Sequence, residues 1–115
     1  MMIHLFSNRT FQLWEYRVGH GSLLIRSPRG PDLKTNVDIV CAGVEYLAAP
    51  RFLRGLEIVE PTLEELQLLE QKLGRSLLAS TVRIFASSGQ RFPIVAASFK
   101  LEENERDIFE SPLED

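Results

Sequence analysis

The chain has little of what catalytic and metal centres are made from. Among its 115 residues are one cysteine and two histidines, Cys41, His4 and His20. A single thiol excludes an intrachain disulfide, and these three residues form none of the close pairs typical of zinc sites. Neither histidine has an orienting partner at a recognisable spacing, as a general base requires. We therefore expect no metal, no cofactor and no catalytic residue.

Long apolar runs and phosphate-binding loops are also missing. No run approaches the roughly 20 apolar residues that span a bilayer, and the opening MMIHLFSNRT lacks the basic and apolar regions of a signal peptide. The thiol of Cys41 lies within an apolar run and is expected to be a small buried hydrophobe. Together these features predict a cytoplasmic protein without membrane contact. The stretch Gly19-His20-Gly21 is too short to hold a nucleotide.

Acidic residues are concentrated at the C-terminal end. Residues 1–101 carry 12 basic and 9 acidic side chains, whereas residues 102–115 carry one basic and seven acidic side chains. This division predicts a single domain over residues 1–102, followed by an acidic tail over residues 103–115 that is flexible or loosely docked. Because such a tail would compete with phosphate for basic surface, nucleic acid is not an expected partner.

Strand patterns lie on both sides of one helix pattern. Thr62 and Glu65 have the spacing of a capping box, and Gly74 suits the position after the last helical residue, so a helix is predicted over about 62–73. Its apolar stripe would comprise Leu63, Leu66, Leu69 and Leu73. The order predicts an α+β fold, in which this helix packs on one face of a mainly antiparallel sheet of about six or seven strands. A strongly curled sheet or half-open barrel is the alternative.

Alternating residues around Gly19-His20 predict a first hairpin. A type II′ turn there would place Trp14 opposite Ile25 and Tyr16 opposite Leu23. The two aromatic rings, with Val18, would then face the core and leave Arg26 in water.

A second hairpin is predicted around Ser88-Gly89. With these residues at the centre of the turn, Val82 pairs with Val95 and Phe85 pairs with Phe92. Apolar residues therefore meet on both faces of this ribbon.

Several apolar and basic residues are predicted to be exposed and free to contact a partner. Leu68 projects away from the helix stripe, and Phe109 is one of few apolar residues in the acidic tail. The basic candidates are Arg26, Arg29, Arg51 and Arg54. We expect a non-enzymatic binding module that acts through protein contacts or self-association, including a homodimer.

Polar residues in the most apolar strand suggest an alternative function. Glu45, Tyr46 and Cys41 could line a pocket between helix and sheet, as in a small-ligand-binding protein or a small enzyme. The competing structural interpretation pairs Glu45 with Arg17, Arg54 or Arg83. Single-stranded nucleic-acid binding and an inhibitor or immunity role rank lower, because the former would need exposed aromatic rings beside cations and the latter rests on fold analogy.

Overall fold

Over residues 2–113, the part of the chain that the computed structural model describes, the backbone forms a closed antiparallel barrel with one α-helix outside it. The elements are β1 Met2–Arg17, β2 Ser22–Ser27, β3 Asn36–Leu47, β4 Phe52–Val59, α1 Leu63–Leu73, β5 Val82–Ser87 and β6 Gln90–Asn104. Around the barrel the order is β1-β2-β3-β6-β5-β4, with β4 paired to β1. The predicted α+β class is confirmed. Met1, Glu114 and Asp115, which belong to the predicted domain and tail ranges, lie outside the described residues.

Two of the long strands contain irregularities at glycines of positive φ. Strand β3 shifts its register against β6 between Val44 and Tyr46. The preceding Gly43 has a φ of 64°, in the left-handed region, and a Cβ there would lie only 3.0 Å from the Ala97 Cβ of β6. Gly55 of β4 adopts a φ of 67° where β1 slips its register against β4. The polar stretch Ser7-Asn8-Arg9 is therefore an irregularity within the continuous strand β1.

The turn of the first hairpin differs from the prediction. A 3-10 turn over Val18–His20 is followed by Gly21 at a φ of 58°, so the type II′ turn predicted at Gly19-His20 is wrong. The pairing of Tyr16 with Leu23 is confirmed. Tyr16 is nevertheless half-exposed and Val18 mostly exposed, because this end of β1 extends past β4 and pairs with β2 alone.

A bulge reverses the predicted faces of the same hairpin. The register shifts between Leu13 and Glu15, so Leu13 rather than Trp14 lies opposite Ile25. Leu13 packs against the barrel core, and Trp14 has its ring centroid 5.3 Å from the guanidinium carbon of Arg26. The prediction that the indole faces the core while Arg26 lies in water is therefore wrong.

The second hairpin matches its prediction. Val82 pairs with Val95 and Phe85 pairs with Phe92. Its turn residues Ser88-Gly89 have φ values of 52° and 77°, the pair of positive angles that a type I′ turn requires.

Two apolar clusters lie on opposite sides of the barrel wall. The interior is filled mainly by Phe11, Leu23, Ile25, Ile39, Cys41, Leu53, Leu56, Phe85 and Ile94. Outside, Val59, Val82, Ile84 and Val95 form an apolar surface that α1 covers. Because side chains alternate along a strand, neighbours such as Ile94 and Val95 contribute to different clusters.

Helix α1 begins and ends as the sequence predicts. Thr62 accepts a hydrogen bond from the Glu65 backbone and Glu65 accepts one from the Thr62 backbone, completing the capping box. Gly74 is left-handed at the C-terminus. Leu69 is buried, as predicted for the apolar stripe. Leu63 was predicted to belong to the same stripe, but its side chain is 71% exposed, so this part of the prediction is wrong. Within residues 2–113, no helix combines the length and apolar character that a bilayer crossing requires.

Candidate functional site

An ion pair is buried on the outer side of the barrel, away from the helix. Arg26 of β2 and Asp38 of β3 are direct cross-strand partners, and both side chains are 0% exposed. The carboxylate accepts from Nε at 2.7 Å and from Nη2 at 3.0 Å. Trp14 covers the guanidinium, whose Nη1 has no hydrogen-bond acceptor among residues 2–113. Arg26 is therefore not the exposed interaction residue that was predicted.

Two asparagines extend this ion pair into a network. Asn104 donates from Nδ2 to Asp38 Oδ2 at 2.8 Å, and Asn36 donates from Nδ2 to Asn104 Oδ1 at 2.8 Å. Asn36 and Asn104 are cross-strand partners on β3 and β6. We call Arg26, Asp38, Asn36 and Asn104 the polar cluster. Because buried polar groups are costly unless they are hydrogen-bonded, each member depends on the others.

The chain after β6 lies across the polar cluster. Asn36 donates to the Arg106 carbonyl at 2.8 Å, and Arg26 Nη2 donates to the Glu110 carbonyl at 3.0 Å. Further along, Arg17 Nη1 donates to the Leu113 carbonyl at 3.0 Å, and the Leu113 side chain is buried. Residues 105–113, the C-terminal segment, thus supply backbone acceptors to donors that the barrel presents.

A second carboxylate helps to hold this segment. A hydrogen bond from Ser111, then one from Arg17, lowers the pKa of Glu15 below its ordinary value. Glu15 also pairs with Arg17 at 2.8 Å. Backbone and side-chain groups of the segment therefore both contribute to its attachment.

Between its attachment points the segment forms a turn over residues 107–110, the Phe109 turn. The Glu110 amide donates to the Asp107 carbonyl at 2.9 Å, and the Phe109 amide donates to Asp107 Oδ1 at 3.0 Å. The Asp107 amide in turn donates to Glu110 Oε1 at 2.9 Å. The two central residues are Ile108, which is half-exposed, and Phe109, which is 89% exposed. Local hydrogen bonds thus hold a turn that presents apolar side chains to solvent.

A groove of about 350 Å³ lies beside the end of the segment. Pro112 and Leu113 form one wall, and the polar lining includes His20, Lys100 and Glu102. Lys100 has no carboxylate partner within the described part of the chain. The groove thus carries charges of both signs, and within the described part of the chain it contains no nucleophile paired with a base.

The residues of the predicted pocket occupy three different environments. Cys41 lies inside the barrel, where burial raises its thiol pKa to about 12. Glu45 is exposed and pairs with Arg75, which lowers the pKa of the carboxyl. Tyr46 packs beneath α1. The ion pair expected for Glu45 therefore exists, but with Arg75 rather than with the partners that were predicted.

The remaining interaction candidates are exposed but widely spread. Arg29, Arg51 and Arg54 are exposed on or beside the strand ends. Leu68 is 58% exposed and borders a cleft of about 160 Å³ between α1 and the barrel. Arg29 lines a surface groove together with Ile108 and Phe109. Leu68 lines a different cleft, so the structure does not bring all of the predicted interaction residues into one patch.

The polar cluster was missed although the sequence contains a signal for it. Arg26 and Asp38 interrupt two apolar runs, SLLIRS and NVDIV, that are consecutive strands. Opposite charges in neighbouring apolar strands are expected to pair. The asparagines gave no comparable signal. Over residues 2–113, no group of three or more His, Cys, Asp or Glu side chains is placed to hold a metal ion.

Comparison of the chain with protein-family models, with curated proteins and with solved structures gives no match.

Proposed function

We propose that the chain is a protein-binding module whose contact site is the Phe109 turn. The observation that carries this proposal is a phenylalanine 89% exposed at the centre of a hydrogen-bonded turn. Aromatic residues, including phenylalanine, are enriched at the centres of protein–protein interfaces, and Phe109 is held in solvent where a partner can contact it.

The way in which the turn is held supports the same function. Its flanks are attached to the barrel through Asn36 and Arg26, so its backbone is ordered before a partner arrives. A preorganised contact loses less conformational entropy on binding. Glu105 and Asp107 line the surface at the apolar tip, and Arg29 and Lys34 line the same surface. The charged groups at the tip favour a partner whose apolar pocket has charged residues on its rim, including a basic group that faces Asp107.

The alternative of a ligand-binding or enzymatic pocket near Glu45 has less support. Its carboxylate is paired with Arg75 at the surface, and Cys41 is on the other side of the barrel wall. Nucleic-acid binding through the first hairpin also has less support, because Arg26 is buried and committed to Asp38.

Site-specific photo-crosslinking in the native host tests the proposal. A photoreactive phenylalanine analogue replaces Phe109 in one variant and Leu78 in a matched control, since Leu78 is also apolar and 73% exposed. We expect a covalent adduct with a protein from position 109 and not from position 78.

The captured protein is then purified and its affinity measured. Phe109→Ala should weaken binding about tenfold or more, as the loss of a hot-spot residue does, whereas Leu78→Ala should leave the affinity unchanged. Equal adducts from both positions, or equal affinity of Phe109→Ala and the parent chain, would contradict the proposal.

A further inference from the structure

An apolar receptor of suitable size for Phe109 exists on the same chain. The cleft between α1 and strands β5 and β6 is lined by Leu68, Leu69, Ile84 and Pro93, with Glu65 and Lys72 at its edge. Its volume is about 160 Å³. An apolar cavity of about 150 Å³ accommodates benzene. The cleft therefore has the size and lining for one phenyl ring.

The cleft edge offers a lysine, and carboxylates flank Phe109 in the turn. Glu65 at the cleft edge is neutralised by Arg91, with Oε1 and Nη2 2.8 Å apart. Lys72 donates to the Tyr46 hydroxyl at 3.4 Å and has no carboxylate partner among residues 2–113. Besides the hydrogen bond to Glu65, the charge of nearby Glu57 also raises the pKa of Arg91, so the cation that the edge offers to a second molecule is Lys72. Asp107 and Glu110 flank Phe109 and carry the opposite charge.

Phe109 does not occupy the cleft of its own chain. The turn is attached over the outer side of β2 and β3 through Arg26 and Asn36, whereas the cleft lies under α1 against Ile84 of β5. With Phe109 89% exposed, the ring remains available to another molecule. Within one chain the fold fixes the turn away from the cleft. The cleft of a second copy is not fixed in position relative to the first copy's turn, so Phe109 can reach it.

We propose that Phe109 of one copy inserts into the α1–β5 cleft of a second copy, and that the second copy's Phe109 does the same in return. Each copy offers one turn and one cleft, so a twofold axis satisfies both contacts and closes the assembly at two chains. This inference rests on the proposed role of the Phe109 turn and names its partner.

Sedimentation velocity across a concentration series into the millimolar range provides the first test. With rising concentration, the parent chain should change from a monomer to a dimer and should form no larger species. Phe109→Ala and Leu68→Glu should each remain at one copy, because the first lacks the ring and the second adds negative charge at the receptor. Leu78→Glu, at another exposed leucine, should associate like the parent chain.

Complementation between variants tests the contact itself. Phe109→Ala retains an intact cleft, and Leu68→Glu retains an intact turn, so a mixture of the two restores one contact. With labelled Phe109→Ala and unlabelled Leu68→Glu, NMR shifts should change at Leu69, Lys72 and Ile84. Adding the double variant Phe109→Ala/Leu68→Glu instead should leave those signals in place. Circular dichroism of each variant confirms that it is folded.

Three results would overturn the reciprocal pairing. In sedimentation, these are a parent chain that stays monomeric or one that forms assemblies larger than a dimer. In NMR, it is a set of chemical-shift changes at the cleft residues that is absent, or that is equally large with the double variant. These results are distinguishable from failure of the proposed function. If photo-crosslinking at position 109 captures a different protein while the parent chain stays at one copy, only the pairing fails. Absence of both the pairing and any adduct specific to position 109 rejects both.

Discussion

The barrel is covered on its outer side at two places by different physical means. Helix α1 covers an apolar surface and is held mainly by burial of Leu66, Leu69 and Leu73. The C-terminal segment covers the polar cluster and is held mainly by hydrogen bonds from Arg26 and Asn36 to its carbonyls. Apolar burial is tolerant of small displacements, whereas hydrogen bonds fix position and direction. The second cover is therefore the one suited to presenting a side chain at a defined place.

The largest effect is expected from breaking the ion pair beneath the C-terminal segment. Asp38→Ala should lower the free energy of unfolding by about 3 to 5 kcal/mol, because it leaves the guanidinium of Arg26 buried without its counter-ion. Urea unfolding measures the change, and the double variant Arg26→Met/Asp38→Leu should lose less than the single variant. A loss below about 1 kcal/mol, typical of an exposed pair, would contradict the structural role given to the cluster.

Where α1 covers the barrel, the free energy of unfolding should depend on the volume of the buried side chains more than on charge. Leu69→Ala removes a buried side chain and should cost about 2 to 4 kcal/mol in the free energy of unfolding. The matched change Leu68→Ala, at an exposed position of the same helix, should stay within about 0.5 kcal/mol. Similar losses for the two leucines in chemical unfolding would show that the packed face is misassigned.

The contribution of α1 to the free energy of unfolding should depend on pH through one carboxylate, that of Glu65. A hydrogen bond from Arg91 is the main cause that lowers the pKa of Glu65 from 4.5 to about 2. Because the folded pKa is depressed, the stabilisation is present above the unfolded value of 4.5 and is lost as the pH falls toward 2.

Arg91→Met should therefore cost about 1 kcal/mol at neutral pH, a value reduced by solvent screening of this partly exposed pair. In unfolding experiments at a series of pH values, the difference between parent and variant should shrink as the solution is acidified. A difference that stays constant down to the lowest pH would rule out this ion pair as its source.

The smallest effect is expected where the C-terminal segment meets Glu15. Ser111→Ala removes the hydrogen bond that most lowers the pKa of this carboxyl, so the pKa should rise toward 4.5 while Arg17 still holds it below that value. An NMR titration of the Glu15 carboxyl carbon reports the shift. An unchanged pKa would mean that Ser111 does not reach Glu15 in solution.

The two covers also differ in how far the sequence predicts them. The bounds of α1 follow from local signals, namely the capping box at Thr62 and Glu65 and the left-handed Gly74. The second hairpin likewise follows from its turn residues. Both depend on residues that are close together in the chain.

The C-terminal segment depends instead on contacts between distant residues. Arg26 and the Glu110 carbonyl are 84 positions apart, and the bulge after Leu13 that sends the Trp14 ring outward leaves no turn signal in the sequence. Alternation alone therefore assigned Trp14 to the core and Arg26 to solvent. The tail's acidic composition predicted a segment that is flexible or loosely docked. Composition does not show that Arg26 and Asn36 donate hydrogen bonds to carbonyls of this segment.

Backbone ¹⁵N relaxation at Phe109 and Glu110 tests most directly whether the polar cluster holds the turn. The structure predicts order parameters near 0.85, as in the strands, and a clear decrease at both residues in the Arg26→Met/Asp38→Leu variant. Order parameters below about 0.6 in the parent chain, with the strands rigid, would show a tail that moves freely and would contradict a preformed contact site.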